Sequence, residues 1–231
     1  MSLIIAYRNF MRSHMLNLTH KSIKHFVPNA KFFCWSFYDK TPAEYDSHEP
    51  LDPDIENTFV KTLYPNTTGL PTDNIWNTDP NFKTSGYANF DNIKFFVEGF
   101  NLMFEKFKNI DEKVFMLGED CYFTNGQVLK EIQENDFDLA YAPWEHISGL
   151  DVNACFVCIK PANVKHCFPL DPRQERPGIT IETKLGYDLV QKISKVYKIK
   201  NRKGRNYFGD GSYTNSSLKI EEDLKAVGIL K

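Results

Sequence analysis

The sequence predicts an α/β domain built on a largely parallel sheet, and three observations carry that prediction. The chain opens strand–helix–strand. A long amphipathic helix near its middle runs into a short, wholly apolar strand. Strands and helices then alternate over the following stretch, an order that wraps helices around a parallel sheet.

In chain order, Leu3-Ile4-Ile5-Ala6-Tyr7 is a short buried strand that breaks at Arg8-Asn9. Met15, Leu18, Ile23 and Phe26 recur at near-helical spacing, and Pro28 stops that helix. Lys31–Phe37 is the second strand. From about 41 to 88 the character changes to a loop-rich insertion holding six prolines, which Phe59, Tyr64, Trp76 and Phe82 mark as an ordered wall of a binding site. The strong helix runs from about Asn89 to Lys108, with Phe90, Ile93, Val97, Phe100, Phe104 and Phe107 on one face. Next come strand Val114–Leu117, helix Gln127–Glu134, and strands Asp138–Ala142 and Ala154–Ile159. A late amphipathic helix over 184–197 leads into a basic, Gly-rich segment.

Composition sets the class. The 231 residues are 42% hydrophobic, and a globular chain of this length buries about 70–75% of its unfolded surface without staples. A single domain over 1–231 is expected, with the insertion at about 41–88 and a basic segment at about 192–215. A net charge of −2 excludes a generally basic nucleic-acid binder, and 14% aromatic residues exclude a disordered chain. The first apolar run is too short for a signal-peptide core or a membrane span, so no membrane partner and a cytoplasmic location are expected. Five cysteines, an odd number, read as reduced thiols. Cys155 and Cys158 have metal-site spacing, but no second pair completes the ligands, and both read as small strand residues.

The chemistry concentrates where Val114-Phe115-Met116-Leu117 ends in Gly118-Glu119-Asp120. Ligands of open α/β sheets bind outside the carboxyl ends of strands. Two adjacent acids there, beside a glycine, can hold a hard divalent cation that neutralises a diphosphate leaving group; the alternative is an acidic turn capping the next helix. Arg8-Asn9 ends the first strand on the same rim, where the guanidinium can pair with phosphate and Tyr7 can offer a ring to a base.

These segments carry a resemblance. Leu3–Asn9, followed by His14-Met15-Leu16, resembles the opening of nucleotide-sugar glycosyltransferases of the GT-A fold, whose β-1,4-galactosyltransferase-like group ends a strand in Phe/Tyr-Arg-Asn. Phe90–Phe100 with Val114–Asp120 is similar to that group's helix, strand and metal-binding acidic motif. Val152–Pro161 resembles the strand after the acceptor-site loop. Two departures stand out: the family's Asp-x-Asp is Gly118-Glu119-Asp120 here, and the Asn-Arg expected after Phe90 is Asp91-Asn92.

The resemblance implies a GT-A, Rossmann-like mixed sheet flanked by helices, and a transfer from a UDP-sugar donor to a hydroxyl acceptor, assisted by Mn²⁺ or Mg²⁺. It implies nucleotide contacts from Tyr7, Arg8 and Asn9, metal ligands Glu119 and Asp120, and a late loop closing over the diphosphate with Asp210 as a further ligand and Lys200 and Arg202 on phosphate. For the catalytic base, Asp151 and Glu182 rank equally, with Glu145 behind them; Trp144 and His146 would line the acceptor pocket.

The acceptor stays open between glycan, protein and modified DNA. Seven basic residues between Lys192 and Arg205, followed by Tyr207, Phe208 and Tyr213, would suit a phosphate-tracking surface. With an Asn-, Lys-, Phe- and Tyr-rich composition, that leaves a viral or phage enzyme glycosylating hydroxymethylated bases, in the host cytoplasm, as a specific version. The competing classes are a non-catalytic nucleotide-sugar-binding module and a metal-dependent nucleotidyltransferase.

Overall fold

A computed structural model describes residues 3–9, 13–38, 50–61, 90–143, 152–170, 181–200 and 217–231. The architecture is a mixed α/β sandwich: a seven-stranded sheet with helices on both faces. The strands are β1 (Leu3–Asn9), β2 (Lys31–Tyr38), β3 (Ile55–Lys61), β4 (Lys113–Gly118), β5 (Leu139–Pro143), β6 (Val152–Ile159) and β7 (Val196–Lys198). The helices are α1 (Ser13–Phe26), α2 (Phe90–Phe107), α3 (Gln127–Glu134), α4 (Ile181–Lys192) and α5 (Ser217–Ala226).

The strand order is β3-β2-β1-β4-β6-β5-β7. All pairings are parallel except those of β6, which runs against both β4 and β5. The carboxyl ends of β1, β2, β3, β4, β5 and β7 therefore share one rim, and β6 starts there. Near-continuous apolar runs in β1 and β4 are the signature of strands covered on both faces.

Alternation along β1 separates two cores. Ile4 and Ala6 point toward α2 and α4, with Val97, Phe100, Phe104, Phe107 and Leu189. Leu3, Ile5 and Tyr7 point toward α1 and α3, with Leu16, Ile23, Leu129 and Ile132. A third cluster packs α5 onto the outer face of α1 through Met15, Leu18, Ile220 and Leu224.

Three lysines close the lower part of the sheet. Lys113, buried at the foot of β4, donates to the carbonyls of Ile132, Gln133 and Asn135, at 2.6, 3.1 and 2.6 Å. It thereby satisfies the orphan carbonyls at the end of α3. Lys195, before β7, joins Lys160 on the carboxylate of Asp136.

The structure differs from the sequence reading at three places. Within the insertion, Ile55–Lys61 is edge strand β3; its residues 56–59 are exposed, so it shows no apolar run. The late helix stops at Lys192 and β7 follows, so 184–197 is not one helix. The carboxyl-terminal helix α5 was not expected. Cys34, Cys121, Cys158 and Cys167 are buried thiols outside any disulfide. No described helix is long and apolar enough to cross a membrane.

Candidate active site at the sheet rim

Register brings the two sequence motifs together. In the parallel pairing of β1 with β4, Arg8 stands opposite Gly118, so Arg8-Asn9 and Glu119-Asp120 leave the sheet side by side. Successive side chains of a strand take opposite faces, which divides the pair. Arg8 lies on the α2 face, 5% exposed, with its guanidinium carbon 5.2 Å from the centre of the Phe100 ring. Asn9 lies on the α1 face and donates to Ser36 Oγ at 3.4 Å. Ser36 in turn donates to Asn57 Oδ1 at 2.7 Å. A polar row thus runs from the ends of β1 and β2 onto the first half of β3, from buried Asn9 to exposed Asn57.

The acidic turn is fastened to α1. Thr19 Oγ1 donates to the Glu119 carbonyl at 2.7 Å, and Ser22 Oγ accepts from the amide of Phe123 at 3.0 Å. Glu119 is 7% exposed. Its charge reaches the Cys34 thiol, which burial, with this charge adding and a hydrogen bond to Ser36 opposing, pushes up to about 12. Asp120 is half-exposed and turns back over the strand end: its Oδ1 lies 3.0 Å from where a Cβ on residue 118 would stand. Gly118 therefore leaves the space the carboxylate uses. Two carboxylates of this kind are hard oxygen donors suited to Mg²⁺ or Mn²⁺.

Tyr7 occupies a different position from an open nucleotide platform. Its ring is fully buried, parallel to Phe32 at 6.4 Å, and its hydroxyl is 3.5 Å from His20 Nδ1. Burial first, with nearby Cys34, Cys121 and Asp52 adding, raises the phenol well above its ordinary value. The residue therefore supports the rim from below.

Lys200 follows β7 at the rim level. Its amide donates at 2.6 Å to Glu131 Oε1, which also accepts from Tyr197 at 2.8 Å. Three sheet spacings separate β7 from β4, about 14 Å. Glu182 stands in the first turn of α4. The Lys192 carbonyl at the other end of that helix meets His166, after the foot of β6, so α4 points its amino end toward the rim. Asp151, Arg202 and Asp210, and likewise Trp144, Glu145, His146, Tyr207, Phe208 and Tyr213, lie outside the described residues.

Ser36 and Asn57 were not singled out from sequence. Ser36 continues the alternation Phe32, Cys34, Ser36 at the carboxyl end of its strand, and that position was the available signal. Asn57 belongs to the unpredicted β3 and offered none.

No protein-family model matches the chain, and no curated protein matches its sequence. Among solved structures, an active-site mutant of LgtC is similar at 14% identity and a TM-score of 0.44, covering 86% of this chain and 72% of that one. The galactosyltransferase LgtC in complex with donor and acceptor sugar analogues is similar at 12% identity and a TM-score of 0.42, covering 86% and 73%.

Proposed function

We propose that this chain is a GT-A-type glycosyltransferase that moves a sugar from a UDP-sugar to a hydroxyl acceptor. The observation that carries the reading is the Arg8–Gly118 register, which sets the Tyr-Arg-Asn and Gly-Glu-Asp motifs of the sequence resemblance beside each other at one strand-end rim.

Each residue then has a role. Arg8 pairs with the diphosphate, held by Phe100 so that its planar fork needs little ordering. Exposed Asn57, held through Ser36 by buried Asn9, offers hydrogen bonds to the nucleoside. Glu119 and Asp120 hold Mn²⁺ or Mg²⁺, with Asp210 as the further ligand; such a cation stabilises charge developing on the leaving UDP. Lys200 and Arg202 take the far side of the diphosphate. The acceptor oxygen bonds to the anomeric carbon as the bond to UDP breaks, and Asp151 or Glu182 takes the acceptor proton.

The test is UDP release from a panel of UDP-sugars, with hydroxymethylated DNA among the acceptors. Turnover should require a divalent cation and fall at least about a hundredfold in Asp120→Ala, the scale of losing one transition-state charge contact. Full activity of Asp120→Ala would remove the metal assignment. Thermal stabilisation by UDP without turnover would identify a binding module, and pyrophosphate release a nucleotidyltransferase.

A further inference from the structure

A second group of ligating atoms, separate from the Glu119-Asp120 pair, lies between α1 and the turn that enters β3. His20, Asp52 and Asp54 each offer one atom, all within 4.8 Å of one another, the one such group of three among the described residues.

The imidazole is the informative member. His20 is 0% exposed, although it sits mid-helix on α1. Its ring is fixed edge-on against Phe32, with centroids 4.4 Å apart, and its Nδ1 faces the Tyr7 hydroxyl. Nε2 is buried without a hydrogen-bond partner, and the nearest acid, Asp52 Oδ1, is 3.8 Å away. That gap is too long for a hydrogen bond. A buried polar nitrogen left this way is unfavourable, so it calls for an occupant.

The turn is built to present the acids. Asn17 accepts from the amide of Asp52 and donates to the Pro50 carbonyl, both at 2.9 Å, tying the turn to α1. Asp52 Oδ1 accepts from the amide of Asp54 at 3.1 Å. Asp54 forms an ion pair with Lys24, one helical turn beyond His20.

We propose that His20 Nε2, Asp52 and Asp54 form a site for a divalent transition-metal cation, Zn²⁺ above all, that braces α1 against the entry to β3. One imidazole nitrogen and two carboxylate oxygens suit zinc better than magnesium or calcium, with water completing a tetrahedron. Ligand atoms around tetrahedral zinc stand about 3.3–3.5 Å apart, so the exposed turn closes by about an ångström. The Lys24 ammonium holds Asp54 in the absence of the cation and leaves when it enters. This brace is independent of the glycosyltransferase reading.

Cobalt and zinc are the probes, in a Glu119→Gln/Asp120→Asn background so that the rim carboxylates contribute nothing. One equivalent of Co²⁺ should bind with tetrahedral visible absorption, and Zn²⁺ should raise Tm. His20→Gln and Asp52→Asn should each weaken binding at least about tenfold. Lys24→Met should tighten it several-fold by removing the competing cation. Absence of stoichiometric binding, or binding undiminished by His20→Gln and Asp52→Asn, would overturn the site. Should the buried His20→Gln fail to fold, the surface variants Asp54→Asn and Lys24→Met decide, and no change in either refutes it.

Discussion

The Thr19 hydroxyl, on α1, donates a 2.7 Å hydrogen bond to the backbone carbonyl of Glu119, a hundred residues later, where the acidic turn leaves β4. Both residues are buried, so the bond is shielded from water. Replacement by the isosteric valine leaves the Glu119 carbonyl without this donor. Thr19→Val should cost about 1–3 kcal/mol in urea unfolding. It should also weaken UDP binding in the presence of Mn²⁺, and unchanged affinity would detach the turn from the proposed site.

Glycines 118 and 126 separate function from stability. A Cβ at 118 meets the Asp120 carboxylate at 3.0 Å, whereas a Cβ at 126 meets the Phe26 ring at 2.9 Å. Gly118→Ala should therefore displace a mobile carboxylate, lowering cation-dependent turnover with little change in Tm. Gly126→Ala presses on a packed aromatic ring and should destabilise by about 1–3 kcal/mol. Parallel melting curves and UDP-release assays distinguish the two.

Lys113 tests the join between β4 and α3. Burial lowers its pKa, yet three carbonyls hold the ammonium. Lys113→Met keeps the stem and deletes the donors, leaving the end of α3 unsatisfied. A loss of about 2–4 kcal/mol is expected in chemical denaturation. A variant as stable as the parent would show that water replaces the lysine at no cost.

Asp136 supplies a pH signature. Hydrogen bonds from Lys160 and Lys195 lower its carboxyl from the ordinary 3.8 to about 2. The folded state thus binds its proton more weakly than the unfolded chain. Its stabilisation is full above about pH 4 and disappears as pH falls toward 2. A carboxyl-carbon NMR titration should place the midpoint near 2, and Asp136→Asn should flatten the stability profile across that window.

Local signals and long-range ones fared differently in the sequence. Helix α3 was legible to the residue, because its apolar spacing is complete within Gln127–Glu134. Strand β3 was not: Glu56, Asn57 and Thr58 face solvent at a sheet edge, and its pairing with β2 depends on partners 23 residues away. At the site, Gly118-Glu119-Asp120 was visible as an acidic strand end. Its neighbour Arg8 was visible only as another strand end, since adjacency of β1 and β4 is a property of strand order. The His20–Asp52 relation left no mark, for no short motif joins residues so far apart.

Strand β4 is moored at both extremities, by Lys113 at its foot and by the Thr19 bond just past its tip. Slippage by one residue would reverse every side chain and break both moorings together. The acidic turn consequently has no low-energy way to come loose by itself. Hydrogen exchange at the amides of Leu117 and Gly118 should follow global unfolding, so that geometry at the rim is lost only when the sheet is lost.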